Sequence, residues 1–162
     1  MTEYPAPWGK PLIAVSIFGT AIVVGVAALN WYLLSEARWI AALTLVAAPL
    51  LLGACLLFMV RGYRLDGANL YVRRLIWETA VDLRELESAQ ADPGAMTGSI
   101  RLFGNGGLFS FTGIFRNKRL GRYRAFVTDH RRAVVLRMAG NTVVVSPADP
   151  QGFVEDILAR NA

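Results

Sequence analysis

The chemistry this chain can offer is concentrated in its cations. Residues 116–132 hold seven Lys/Arg against one acid, Asp129. Five of them, Arg116, Lys118, Arg119, Arg122 and Arg124, crowd into the first part of that run. Alternate residues of a strand point to one face. In a strand over 121–128, Arg122 and Arg124 therefore share a side, and Tyr123, Ala125 and Val127 take the other. Guanidinium forks match phosphate oxygens in pairs, and a lysine adds a point charge. The five residues are the candidate site for an anionic lipid headgroup. The plainer alternative is a solvated basic surface beside an anionic leaflet, where each Lys or Arg gains up to about 1 kcal/mol.

Other reactive side chains are sparse. Asp129-His130 has the types of an acid/base pair, but adjacent strand residues point apart and no nucleophile accompanies them. His130 is the single histidine and Cys55 the single cysteine, too few for a zinc site. No metal or cofactor is expected. Cys55 lies in an apolar run and reads as a small buried residue; with no second cysteine there is no intramolecular disulfide, which fits a reducing compartment. Gly104-Asn105-Gly106-Gly107 lacks the Lys-Ser/Thr and the helix that a phosphate loop needs. It reads as a tight turn requiring positive φ. Phe109, Phe111 and Phe115 recur with period two and read as a core-facing stripe. With no nucleophile–base set and no metal set, an enzyme is not expected.

The elements that must position these residues begin with two apolar runs. Residues 12–34 and 40–60 are 23 and 21 residues long and carry no charge; runs above about 18 are transmembrane helix candidates. The segment ahead of them has only Lys10 against Glu3, and a second run follows at once, so signal-peptide cleavage near Val26-Ala27-Ala28 is not expected. The short link 35–39 makes the helices antiparallel neighbours. Ala21, Gly25 and Ala28 on the first and Ala41, Thr44 and Ala48 on the second are expected to face each other, and Pro49 to kink the second. Tyr4, Trp8, Trp31, Tyr32, Trp39 and Tyr63 read as interfacial aromatics. Arg61, Arg64, Arg73 and Arg74 follow the second run, so the positive-inside rule puts that side in the cytoplasm. The expectation is a multi-pass plasma (inner) membrane protein with both termini cytoplasmic: 1–11 a short N-terminus, 35–39 an extracytoplasmic link, and 63–162 a cytoplasmic domain. Only Arg61-Gly62 separates span from domain, which predicts a rigid mount.

Within 63–162, 14 Lys/Arg against 10 Asp/Glu leave +4 of the chain's total +5. That modest excess fits anionic headgroups better than nucleic acid, which is not expected as a partner. Strand signals cover 63–65, 70–77, 88–91, the Phe stripe, 121–128, 133–138 and 142–146, punctuated by turns at Asp66-Gly67-Ala68-Asn69, Asp92-Pro93-Gly94 and Ala139-Gly140-Asn141. Residues 82–86 read as one helical turn capped by Asp82. A closing helix is predicted with Asp149 as N-cap, Pro150 at its first position, and an apolar stripe of Phe153, Val154, Ile157 and Leu158.

This order resembles the pleckstrin-homology (PH) fold. The whole chain is similar to the bacterial PH-domain proteins with two N-terminal membrane helices. Carrying the resemblance are Tyr63-Arg64-Leu65-Asp66-Gly67 with Leu70-Tyr71-Val72-Arg73-Arg74, then Phe103-Gly104-Asn105-Gly106-Gly107-Leu108-Phe109-Ser110 through Gly121-Arg122-Tyr123-Arg124-Ala125-Phe126-Val127-Thr128-Asp129, and Ser146-Pro147-Ala148-Asp149-Pro150. The resemblance implies a membrane α-hairpin plus a mainly β domain, a bent seven-stranded sandwich or partial barrel capped by a C-terminal α-helix. It implies a membrane address rather than a reaction. Lys118, Arg122 and Arg124 also resemble the phosphoinositide signature of eukaryotic PH domains. Two functions follow as expectations: a non-catalytic module that binds a protein partner or assembles with itself at the membrane, and an anionic-lipid binder acting through 116–124.

Overall fold

The computed structural model describes residues 2–33 and 37–161. Its element order is β1 (Thr2–Pro5), α1 (Lys10–Leu33), α2 (Arg38–Leu57), then β2 (Gly62–Asp66), β3 (Asn69–Arg73), β4 (Glu78–Asp82), β5 (Leu86–Ala91), β6 (Ile100–Gly106), β7 (Phe111–Asn117), β8 (Gly121–Val127), β9 (Val134–Met138), β10 (Asn141–Val145) and α3 (Pro150–Asn161). The strands form two sheets, ordered β1-β2-β3-β4 and β5-β9-β10-β8-β7-β6. With the helical hairpin ahead and α3 closing the chain, this is the expected PH-like architecture.

Both α1 and α2 are long and apolar enough to cross a membrane. Few of their residues are buried: Leu12, Ser16 and Ala27 on α1, and Ala41 on α2. The expected small-residue face is present on α2, where Ala41 is buried and Thr44 and Ala48 are half-buried. On α1 it is rotated. Ala21, Gly25 and Ala28 are exposed, and Val23, Ala27 and Asn30 line the covered stripe instead. Gly25 makes no close contact that requires glycine: a Cβ there would touch nothing within 4 Å. Leu34, Ser35 and Glu36, the end of the predicted first span and part of the predicted link, lie outside the described residues. Arg38 and Trp39, also placed in that link, are the first turn of α2.

The segment before α1 is part of the domain. β1 pairs antiparallel with β2, Thr2 opposite Leu65 and Pro5 opposite Gly62. Beyond it the chain stays tethered. The Ala6 N–H donates to Arg61 O, the Thr128 hydroxyl to Pro7 O, and the Gly9 N–H to Thr128 O. At Gly9 a Cβ would come 2.7 Å from an Asp129 carboxylate oxygen, so α1 starts hard against the domain. Residues 2–9 and the domain therefore lie at the same end of the helical hairpin.

Between the sheets lies the main core. Tyr63, Leu65, Leu70 and Val72 from the first sheet meet Phe126, Val134, Leu136, Val143 and Val145 from the second, and α3 adds Phe153 and Ile157. Each such side chain contributes about 1.5–3 kcal/mol by leaving water. Asp149 does cap α3, its Oδ1 accepting from Gly152 N. A second cluster lies on the other face of the six-stranded sheet, where Phe115, Tyr123, Ala125, Val127 and Val144 are covered by Ala95 and Met96.

Three local expectations change. Tyr4 and Tyr63 are not interfacial. Tyr4 stacks edge-on against Phe153 at 5.0 Å, and Tyr63 is fully buried, donating its hydroxyl to Phe126 O at 2.5 Å and accepting from Ser146 N at 3.0 Å. Residues 82–86 form no helical turn: Asp82 ends β4, and its carboxylate accepts from the Arg84 N–H in a turn leading into β5. The Phe stripe holds for Phe111 and Phe115, but Phe109 sits in the β6–β7 turn at φ 66° against Trp8.

Candidate functional site

Cross-strand register orders the inner face of the six-stranded sheet into rows. Asn105, Thr112, Phe126 and Val145 form one, Phe103, Ile114, Arg124 and Val143 the next, and Ile100, Arg116 and Arg122 a third. Successive rows are about 7 Å apart along the strands. At the β9–β10 side this face is covered by the first sheet. At the β6–β7 side the covering ends, and the last turn of α2 stands over it instead.

The result is a cavity of about 770 Å³ whose walls are Ala54, Cys55 and Phe58 of α2, Phe103, Gly104 and Asn105 of β6, Thr112, Gly113 and Ile114 of β7, Arg124 and Phe126 of β8, and Leu108, Arg74 and Arg101. Gly104 and Gly113, which border it, face each other across the β6–β7 pair, both at positive φ. A Cβ on Gly113 would come 2.1 Å from Phe103 O. A bulge at Leu102 twists β6 where it borders the cavity. The hairpin turn is held to α1, where the Ser16 hydroxyl accepts from Phe109 N at 2.9 Å. That contact accounts for a buried serine within an otherwise apolar helix.

Arg74 is the best-buried cation of the domain, only 7% exposed. Its Nη1 donates to Phe58 O at 2.8 Å and its Nε to the Thr79 hydroxyl at 3.1 Å. Its guanidinium carbon lies 5.4 Å from the Phe58 ring centre, 5.7 Å from Trp77 and 5.3 Å from Phe126. Arg124 lies over the same Phe126 ring at 4.8 Å. Among the described residues, neither Arg74 nor Arg124 forms an ion pair with a carboxylate. Burial first, and the neighbouring Arg124 charge second, push the Arg74 pKa below its ordinary value. Arg124 also borders a second, open cleft of about 550 Å³ that contains Asp82 and Glu85. Asp82 is engaged by Arg84 at 2.6 Å.

The sequence-predicted cations divide. Arg116 and Arg122 are direct cross-strand neighbours, and Arg124 lies on the same inner face one row closer to α2. Lys118 and Arg119 lie in the β7–β8 turn. Arg119 turns to the other side of the sheet, pairing with Asp92 at 2.6 Å and donating to Gly94 O. Sequence reasoning missed Arg74 and Arg101. For Arg74 a signal existed: Leu70, Val72 and Arg74 share the period-two face whose first two members are fully buried.

Asp129-His130 does not assemble as an acid/base pair. Asp129 accepts from the Arg131 N–H and sits 3.7 Å from Arg132 Nε. His130 lies over Phe111 with ring centres 4.2 Å apart, and burial lowers its pKa against the opposing pull of Asp129. The glycine stretch is not itself the turn: Gly104, Asn105 and Gly106 close β6 and only Gly107 enters the turn, where Asn105 Oδ1 accepts from Leu108 N and Gly107 N.

Residues 61–161 match a family model described as Bacterial PH domain. No curated protein and no solved structure matches the chain significantly.

Proposed function

The chain belongs to the bacterial PH domain family, and from that premise we propose a non-catalytic module anchored in the membrane that recognises anionic lipid at the surface of its own leaflet. The observation that carries this reading is a set of guanidiniums with no carboxylate ion pair among the described residues, Arg124, Arg116 and Arg122 on one sheet face and Arg74, just past β3, against the same Phe126 ring as Arg124, beside the end of an apolar helix. Buried Arg74 meets its need for partners through Phe58 O and Thr79, whereas Arg116, Arg122 and Arg124 are exposed and attract anions through their clustered charge. Phosphodiesters are the anions abundant at the place where α2 ends.

Several features support a cytoplasmic, two-span arrangement in the plasma membrane. The β1–β2 pairing requires both ends of the hairpin to lie together. Arg61, Arg64, Arg73 and Arg74 follow the second span, as the positive-inside rule expects of a cytoplasmic flank. Leu75, Ile76 and Phe103 are exposed near the helix ends, where headgroups and acyl chains would cover them.

Hydrogen exchange on the full chain in nanodiscs tests the reading. Discs of phosphatidylglycerol should protect 100–126 more than discs of phosphatidylcholine, and 1 M salt should remove much of the difference. Identical exchange in both lipids, or an unchanged difference after Arg116, Arg122 and Arg124 are all replaced by Gln, sinks it.

A second reading, docking of a protein partner or a second copy, is favoured by β6. It is an edge strand with Ile100, Leu102 and Phe103 exposed, and such edges accept an added strand. A photo-crosslinker at position 100 should then capture a protein of fixed mass; adducts to lipid alone exclude it.

A further inference from the structure

The cavity between α2 and the β6–β7–β8 face has two properties that a merely basic surface lacks. It is enclosed on one side by the helix the chain would embed in the bilayer, through Ala54, Cys55 and Phe58. It also joins an apolar wall to two clustered guanidiniums, Arg74 and Arg124, over one aromatic ring. Free phosphate would satisfy the cations and leave Phe103, Leu108, Ile114 and Phe58 in water. A neutral apolar ligand would do the reverse. An amphiphile with an anionic head satisfies both, and at about 770 Å³ the space is within the range of pockets that enclose a small ligand, about 300–1,000 Å³.

We propose that this cleft holds one anionic phospholipid drawn from the surrounding leaflet. Its phosphate lies between Arg74 and Arg124 with Arg101 at the margin, and acyl chain runs along Ala54, Cys55 and Phe58. This rests on the reading of the protein as an anionic-lipid module and adds a defined site, a stoichiometry of one lipid per chain, and a membrane helix as part of the binding wall. The Arg74 guanidinium is positioned in advance. Phe58 O and Thr79 fix Arg74 from behind, and Arg124 is the cross-strand neighbour of Ile114 on the cleft floor.

The test is native mass spectrometry of the full chain released from nanodiscs of equal phosphatidylglycerol and phosphatidylcholine with matched acyl chains. One phosphatidylglycerol should remain bound per chain. Arg124→Gln should lower its retention about tenfold, the size expected for losing one charge-assisted hydrogen bond. Ile114→Trp, which fills the cleft without touching a charge, should do the same, whereas Lys118→Gln should leave retention unchanged. Arg74→Gln is less clean because Arg74 also ties α2 to the domain, so the other two variants decide. Equal retention of both lipids, retention indifferent to Ile114→Trp, or displacement by millimolar inorganic phosphate overturns the cleft assignment. If protection of 100–126 by anionic discs persists in that case, the broader lipid reading survives; if it too is absent, both fall.

Discussion

The inner face of the six-stranded sheet has two halves built from the same kind of strand. Over β9 and β10 it carries Val134, Leu136, Val143 and Val145, all buried against Tyr63, Leu65, Leu70 and Val72. Over β6, β7 and β8 it carries Phe103, Ile114, Arg124, Arg116 and Arg122, and the first sheet borders it only along Arg124, through Arg74 and the end of β4. One strand pair, β8 with β10, joins the halves in parallel, with Val143 beside Arg124 and Val145 beside Phe126. Within about 5 Å across this pair, the environment at this row passes from the apolar core at Val143 to an open cleft at Arg124, which has no carboxylate ion pair among the described residues. Where two sheets meet, close packing leaves no room for a charge or a ligand. Where a sheet meets only the end of a helix, a cavity and long cationic side chains persist.

The sharpest way to test this contrast is to remove a large side chain from each half. Phe153→Ala, on α3 in the core that covers the filled half, should cost about 3–5 kcal/mol, read from chemical denaturation of the full chain in detergent. Ile114→Ala, on the open floor, should cost under about 1 kcal/mol, as surface substitutions do. Similar losses at both sites would mean the cleft is packed like the core.

Next in size is Tyr63→Phe, which leaves Phe126 O and Ser146 N without their buried partner and should cost about 1–3 kcal/mol. It also has a pH signature. Burial raises the Tyr63 pKa from 10.0 to about 12. A raised pKa means the folded state favours the neutral form, so its contribution is intact below pH 10 and lost as pH rises from 10 towards 12. Tyr4, raised to about 12 by burial and by its hydrogen bond to Asp156, acts in the same window. Tyr63→Phe should therefore reduce the alkaline loss of stability, and Tyr63→Phe with Tyr4→Phe should reduce it further. An unchanged alkaline slope in the double variant would place the titration elsewhere.

The smallest effect is expected at Arg119. Its pair with Asp92 is largely exposed on the Arg119 side, so Arg119→Gln should cost no more than about 1 kcal/mol and leave lipid retention unaltered. A large loss of lipid would return the turn to the binding face and erase the division between Arg119 and Arg124.

Much of this was legible along the chain because it depends on local periodicity. The two helices, the alternation of Arg122 and Arg124 against Tyr123, Ala125 and Val127, the β9–β10 hairpin and the Asp149 cap all follow from spacings of a few residues. Strand β1 was not legible: Thr2–Pro5 is short, and its partner β2 lies beyond two helices in sequence. Residues 82–86 were misread because an Asp accepting from the N–H two residues on has the same local signature in a turn as at a helix start.

The sequence by itself determined the apolar hairpin, the mainly β domain behind it and the helix that closes it, since hydrophobic pattern and capping chemistry act over neighbouring residues. Only the tertiary structure decided which cations count. Arg119 and Arg124 are alike in type and lie in one basic run, yet one meets Asp92 across a turn and the other shares Phe126 with Arg74, just past a strand of the other sheet. Whether a charge is compensated depends on contacts between residues distant in sequence, and here also on the single turn of α2 that stands over the sheet where the second layer ends.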